Sequence, residues 1–392
     1  MTPTRDTLRI APLRIALVGL FALAVAMGVG RFAYTPLLPL MRADGLLDLA
    51  GGGWLASIHF LGYLIGAGVA AWTGLAPRLA LRGALLVIGL STLGMGLTEN
   101  FALWSLFRWL AGAGSAFTLV LVSNFMVKHL AEQGHPGAQG WIFAGVGGGI
   151  VLAGLGVLAL MAGGVGSALS WRVFGTVTLA VCAVLMLALG PEMPARGTGP
   201  RRDRGERTPL SWPLLLAYGA VGLGYVIPAT YLPVMAREIV ADPLVFGWGW
   251  PMFGLAAFVS TPLAARLRAR FSARRIWAAS QLVMAAGLLL PALLPHIGSI
   301  LLAAVCVGGT FMIITMAGMQ EAHRFAPAAD VMRHIAAMTT AFAAGQMIGP
   351  VFASMLYEAG GGFALPLIVT SLLLLGAVLA LRGGATEREI TA

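Results

Sequence analysis

Gly28-Val29-Gly30-Arg31-Phe32-Ala33-Tyr34-Thr35-Pro36-Leu37-Leu38-Pro39-Leu40-Met41 places an arginine, a tyrosine and two prolines inside an apolar run long enough to cross a bilayer. A charge at such a depth is costly unless it faces partners or water, so it marks a functional site by default. The stretch returns 194 residues later as Gly222-Leu223-Gly224-Tyr225-Val226-Ile227-Pro228-Ala229-Thr230-Tyr231-Leu232-Pro233-Val234-Met235. Gly28, Gly30, Leu38, Pro39 and Met41 match identically, whereas Tyr225 stands where Arg31 would be.

The rest of the chain repeats with it. At the same offset Gly53-Trp54 pairs with Gly247-Trp248, and Gly114 and Phe117 pair with Gly308 and Phe311. Further on the offset becomes 200, where Ala144-Gly145, Gly149, Val151 and Ala153 match Ala344-Gly345, Gly349, Val351 and Ala353. Twelve apolar segments fall at about 13–40, 51–73, 80–98, 101–130, 139–162, 170–190, 211–236, 246–267, 275–295, 298–322, 336–357 and 362–381, most of them able to span the hydrocarbon core. The reading is an all-α membrane protein of twelve transmembrane helices in two pseudo-symmetric six-helix bundles. The expected boundaries are 1–190 for the first bundle, 191–210 for a cytoplasmic linker and 211–392 for the second. Paired six-helix repeats are a transporter design, with the solute site between them near mid-membrane.

Composition agrees. Only 10% of residues are charged, against about 25% in soluble domains, and 59% are apolar. The net charge of +10 lies in short loops and the arginine-rich linker with no aromatic-interleaved basic surface, so nucleic acid is not the expected partner. The bilayer and a small molecule are. With both termini cytoplasmic, 20 of the 25 basic residues lie inside, which the positive-inside rule favours over the reverse topology. The expected location is the cell (inner) membrane. Arg5, Arg9 and Arg14 before an apolar run could pass for a signal peptide, but the run continues and its far part is repeated near residue 230. Cys182 and Cys306 lie in different halves and nothing has metal-ligand spacing, so neither a disulfide, a metal nor a cofactor is expected.

Depth arithmetic groups three side chains. At 1.5 Å of rise per residue, Arg31 lies about 16 Å, His59 about 12 Å and Arg108 about 10 Å below the outer surface, on three different segments. No Asp or Glu lies well inside a segment of the first half to neutralise them. Arg31 is read as the anchor of an anionic solute group, since its planar fork suits carboxylate or phosphate. The competing reading is a structural arginine bonded to a broken helix end near Pro36. Arg108 is a second candidate, or a partner for Glu99 at the mouth. His59 is a candidate for proton coupling, set against a hydrogen-bonded residue at a helix contact, since two nearby arginines oppose a third charge. Tyr34, Tyr225, Thr230, Tyr231 and Gln346 complete the candidate substrate-binding set, Gln346 being equally read as helix glue. Trp248 and Trp250 read as an interfacial belt. Glu321, beside Gln320, His323 and Arg324, reads mainly as part of an inner ion-pair cluster and secondarily as a proton site. The glycine runs let helices approach closely.

The chain at this point resembles the major facilitator superfamily, and within it the YbfB/YjiJ branch. The resemblance is carried by Gly30 to Pro39, Arg108-Trp109-Leu110-Ala111-Gly112, Gly224 to Pro233, Phe246-Gly247-Trp248-Gly249-Trp250-Pro251 and Gly345-Gln346-Met347-Ile348-Gly349-Pro350. It implies the major facilitator fold and a secondary transporter working by alternating access, with segments 1, 4, 7 and 10 lining the cavity. The loop Gly74 to Arg82 departs from the superfamily's Asp-Arg-x-Gly-Arg signature by lacking the aspartate, which puts its usual charge relay in doubt.

The expectation is therefore a monomeric, non-enzymatic secondary transporter of a small organic anion, proton-coupled or exchanging. The alternative is an efflux pump for amphipathic compounds with structural arginines. A non-transporting membrane sensor ranks below both, because 1–12, 191–210 and 383–392 are too short for an effector region. No cluster of nucleophile and base points to an enzyme.

Overall fold

A computed structural model describes residues 5–72, 75–135, 138–189, 209–326, 330–360 and 362–383. Among the described residues twelve helical spans are long and apolar enough to cross a membrane, and no strand occurs. They are α1 (Pro12–Ala43), α2 (Leu49–Ala70), α3 (Pro77–Met95), α4 (Phe101–Val127), α5 (Gly140–Ala162) and α6 (Ser167–Ala188). The second set is α7 (Trp212–Ile239), α8 (Pro243–Arg268), α9 (Ala273–Leu293), α10 (Ile297–Phe325), α11 (Arg333–Gly360) and α12 (Ala364–Leu381). The expected linker lies, apart from Pro209 and Leu210, outside the described residues.

The chain forms two compact units, Met1–Leu46 with Ile58–Pro200, and Leu47–Ser57 with Arg201–Ala392. In the first, α1 packs on α5, and α3 packs on α4 and α6. In the second, α7 packs on α11, and α9 packs on α10 and α12. The internal packing of one unit thus repeats that of the other. Lipid supplies no hydrophobic force between helices, so close backbone approach has to do the work. The glycines shared by the two repeats sit where it happens. A Cβ on Gly28 would strike the backbone of Gly149, and one on Gly222 would strike that of Phe342. Gly145 meets the Leu20 carbonyl and Gly345 the Gly219 carbonyl in the same way.

Helix starts are fixed by side chains that take up the free N–H groups of the first turn. Asn100 accepts from Ala102 and Leu103, at 2.9 and 3.1 Å, and Asp242 accepts from Leu244 at 2.9 Å. Asp44, just past α1, accepts from Ser167 at 2.7 Å where α6 begins.

The opening stretch differs from its repeat in backbone. In α1 an α-helix ending at Leu23 gives way to a π-helix over Ala24–Arg31, a turn at Phe32 and Ala33, and an α-helix from Tyr34 to Ala43. Phe32 N–H reaches five residues back to the Met27 carbonyl at 3.1 Å. Pro36 has no N–H to offer the Phe32 carbonyl, which takes Thr35 N–H at 3.3 Å instead. The break therefore lies before Pro36. Its counterpart α7 is one continuous α-helix through Pro228 and Pro233.

A physical reason is at hand in α4. Arg108 and Ser115 donate to carbonyls of the π segment, whereas the positions 194 residues on are Leu302 and Gly309, which have no side-chain donor. Only the first unit can satisfy a distorted helix this way.

Gly28→Ala is expected to cost about 1–3 kcal/mol through overpacking, seen as a lower melting temperature in detergent. Gly83→Ala, whose Cβ would meet nothing within 4 Å, should leave it unchanged or raise it. Equal melting of the two variants would contradict the α1–α5 contact.

Candidate functional site

In the first unit the three deep side chains form one buried cluster. Arg108 is 3% exposed and its fork closes on the end of the π segment, Nη1 donating to the Gly30 carbonyl at 3.3 Å and Nη2 to the Arg31 carbonyl at 3.5 Å. One face lies on Tyr34, 4.4 Å from guanidinium carbon to ring centroid. A cation suits this position because unsatisfied carbonyls at the C-terminal end of a helical segment carry partial negative charge. Ser115, two turns along α4, sets its hydroxyl 2.7 Å from both the Ala26 carbonyl and the Ala111 carbonyl of its own helix, so its one hydrogen is shared between them. Arg108 was read either as a site residue or as a partner for Glu99 at the mouth; its hydrogen bonds go to backbone carbonyls.

Arg31 is buried in an aromatic cage. Its guanidinium carbon lies 4.9, 5.0 and 4.9 Å from the ring centroids of Phe32, Phe60 and Tyr63. Each such contact is worth about 0.5–2 kcal/mol when desolvated. His59, fully buried on α2, sets Nδ1 3.2 Å from the Arg108 carbonyl oxygen and stands edge-on to Phe60. His59 Nε2 and Arg108 Nε have no hydrogen-bond partner among the described residues. By sequence, residues 49–98 and 100–131 contain no Asp or Glu, so the spans supplying His59 and Arg108 bring no carboxylate.

The second unit places aromatic rings where the first places cations. Tyr225 is stacked between Phe311 at 5.2 Å and Phe342 at 5.5 Å. Phe311 continues to Phe253 and Trp250, and Phe342 to Tyr218 and Trp277, so seven rings make one column. The Gln346 amide nitrogen donates to the Tyr225 hydroxyl, while its oxygen has no partner among the described residues. Tyr231 lies elsewhere, its hydroxyl donating to the Pro350 carbonyl at 2.8 Å. Thr230 is buried. Trp250 is fully buried, which corrects its assignment to an interfacial belt; Trp248 is 47% exposed, as a belt residue should be.

Glu321 is buried near the end of α10 and accepts from Arg274 Nε at 3.1 Å, with Arg324 4.0 Å away. His323, expected in this cluster, is exposed.

The candidate residues thus fall into separate groups. Arg31, Tyr34, His59 and Arg108 come together in the first unit, Tyr225 and Gln346 in the second, and Tyr231 and Glu321 each have their own partners. Sequence reasoning missed Phe60, Tyr63 and Ser115, and the ring partners of Tyr225. Two signals were available: Phe60 and Tyr63 follow His59 at one and four residues, and Phe311 is the repeat mate of Phe117. A groove of ≈ 530 Å³ between α7 and α11, with Trp212, Gly219, Ala341 and Gly345 in its wall, contains none of these groups except the Gly345 neighbour of Gln346. It has no charged side chain with which to recognise an ion.

Relatives narrow the family. In Bacillus subtilis (strain 168), the protein described as uncharacterized MFS-type transporter YceJ is 30% identical over 183 residues, 44% of each chain. Synaptic vesicle glycoprotein 2C of Rattus norvegicus is 28% identical over 193 residues, 44% of this chain and 26% of that one. The chain thus matches less than half the length of these relatives. Among solved structures, a D-xylose-proton symporter superposes with a TM-score of 0.76 at 14% identity, covering 94% of this chain and 97% of that one. A mutant of the nucleoside transporter NupG gives 0.71 at 12% identity, over 95% and 98%. At these identities the likeness is one of fold. Residues 23–382 match the family described as uncharacterised MFS-type transporter YbfB. With nearly the whole chain inside that match and twelve apolar spans to support it, this multi-pass membrane protein belongs to the YbfB-type family of major facilitator superfamily transporters.

Proposed function

We propose that the chain is a secondary active transporter that moves a small organic anion across the inner membrane by alternating access, with both termini cytoplasmic. One observation carries the reading: two buried guanidinium groups and an imidazole converge in spans whose sequence holds no carboxylate. Buried charge needs compensation, and a solute carboxylate or phosphate supplies it with matching bidentate geometry. The roles divide by what each side chain already does. Arg108 holds the broken helix through the Gly30 and Arg31 carbonyls and lies on Tyr34. Arg31, buried against Phe32, Phe60 and Tyr63, is the candidate solute anchor because its planar fork suits a carboxylate or phosphate. In the second unit the candidate solute residues are Tyr225 and Gln346, with Thr230 and Tyr231 further along α7, the span of Tyr225.

Moving an anion inward against a negative-inside potential costs about 2.3 kcal/mol per 100 mV, and a proton carried with it cancels that charge. Glu321 is the group we assign to the proton. It is a buried carboxylate whose Oε2 is held by Arg274 at 3.1 Å and whose Oε1 lies 4.0 Å from Arg324 Nη1, so a proton there would compete with two arginines for the carboxylate. His59, the other candidate, sits among the arginines and is assigned to the solute site. That a D-xylose-proton symporter shares this fold supports a coupled mechanism.

A second reading, an efflux pump for amphipathic compounds, draws support from the aromatic cage of Arg31 and the ring column, which would make the arginines structural. Affinity measurements with organic anions against lipophilic cations separate the two.

Arg31→Gln is expected to weaken binding of an organic acid by roughly 10- to 150-fold, with an unchanged elution profile in detergent. Unchanged affinity would remove Arg31 from the site. In proteoliposomes, Glu321→Gln should retain counterflow exchange and lose accumulation driven by a pH gradient. Accumulation at the parent level would show that the coupling proton sits on another group.

A further inference from the structure

His59 has one bonding capacity that an anion alone does not use. Its Nδ1 faces the Arg108 carbonyl at 3.2 Å, and a carbonyl only accepts, so Nδ1 carries the hydrogen. In the neutral imidazole Nε2 is then a bare lone pair. That lone pair is fully buried and has no partner among the described residues. A buried acceptor left without a donor is costly, so the missing donor is itself information about the ligand.

The guanidinium groups of the cluster offer only N–H donors. A simple carboxylate accepts from such donors and leaves Nε2 unbonded. An ammonium beside the carboxylate would offer a donor, at the cost of bringing another cation against two arginines. A hydroxyl brings a proton and no charge. Building on the anion reading, we propose that the solute is a hydroxy-carboxylate, its carboxylate taken by Arg31 and its hydroxyl donating to His59 Nε2. His59 is then a specificity-determining residue, selecting among acids rather than holding the charge.

The two obvious replacements of His59 separate the ring nitrogens. Asparagine keeps a side-chain N–H near the Nδ1 position, able to hold the Arg108 carbonyl, and has nothing at the Nε2 position. Glutamine sets an amide oxygen near Nε2. The test is calorimetric titration of the purified full-length protein with acid pairs that differ by hydroxyl groups: lactate and propionate, malate and succinate, gluconate and hexanoate. In the parent and in His59→Gln, the hydroxy acid of at least one pair should bind about tenfold tighter than its partner. In His59→Asn that ratio should fall to about one while the plain acid keeps its affinity. Acids that bind the parent with no preference for the hydroxyl, or a preference that survives in His59→Asn, would overturn the inference and leave the anion reading standing. If no acid of either kind binds the parent, the anion reading fails and takes this inference with it.

Discussion

The structure of the first unit depends on a guanidinium group closing on the backbone of a neighbouring helix. A π-helix inside a membrane span turns carbonyls away from their usual partners, and hydrocarbon offers no water to satisfy them. Arg108 and Ser115 meet three of these carbonyls from α4. The stabilisation is mutual. The carbonyls solvate a charge that would otherwise be too costly to bury, and the charge holds Arg31 and Tyr34 at the point where the helix resumes. His59 is tied into the same knot by the Arg108 carbonyl, so three spans are positioned by one side chain and its own backbone.

The two units keep one packing plan and use it for different chemistry. Glycines at the α1–α5 and α7–α11 crossings serve the shared architecture, because any side chain there would strike backbone. Where the first unit has cations and a broken helix, the second has a regular α7 and a column of stacked rings through Tyr225. Exchanging Arg108 for Leu302 and Ser115 for Gly309 removes the donors that a π segment requires. These two exchanges, with Tyr225 in the place of Arg31, account for the missing charge and the regular helix together. The proposed transport reading takes charge recognition from the first unit.

Much of this was legible in the sequence, and the limits were physical. Segment count and repeat follow from hydropathy and spacing because a span must satisfy its own backbone and be apolar over a fixed length. The grouping of Arg31, His59 and Arg108 followed from helical rise alone, since depth is one-dimensional. Which way each side chain points is rotational, and there the reading ran out. Arg108 was equally compatible with Glu99 or with carbonyls, and Trp250 with the interface or the core. The π segment was invisible for a related reason. Prolines mark a break near Pro36, but the break upstream of it depends on donors from α4, far away in the chain.

The central claim is that the buried arginine cluster of the first unit holds the anionic group of the solute. Cryo-electron microscopy of the full-length protein in nanodiscs, with and without a saturating organic acid, tests it most directly. Ligand density is expected within hydrogen-bonding distance of the Arg31 guanidinium, with Arg108 still on the Gly30 and Arg31 carbonyls. Density only in the α7–α11 groove or against the Tyr225 column, with the Arg31 cage unchanged, would contradict it.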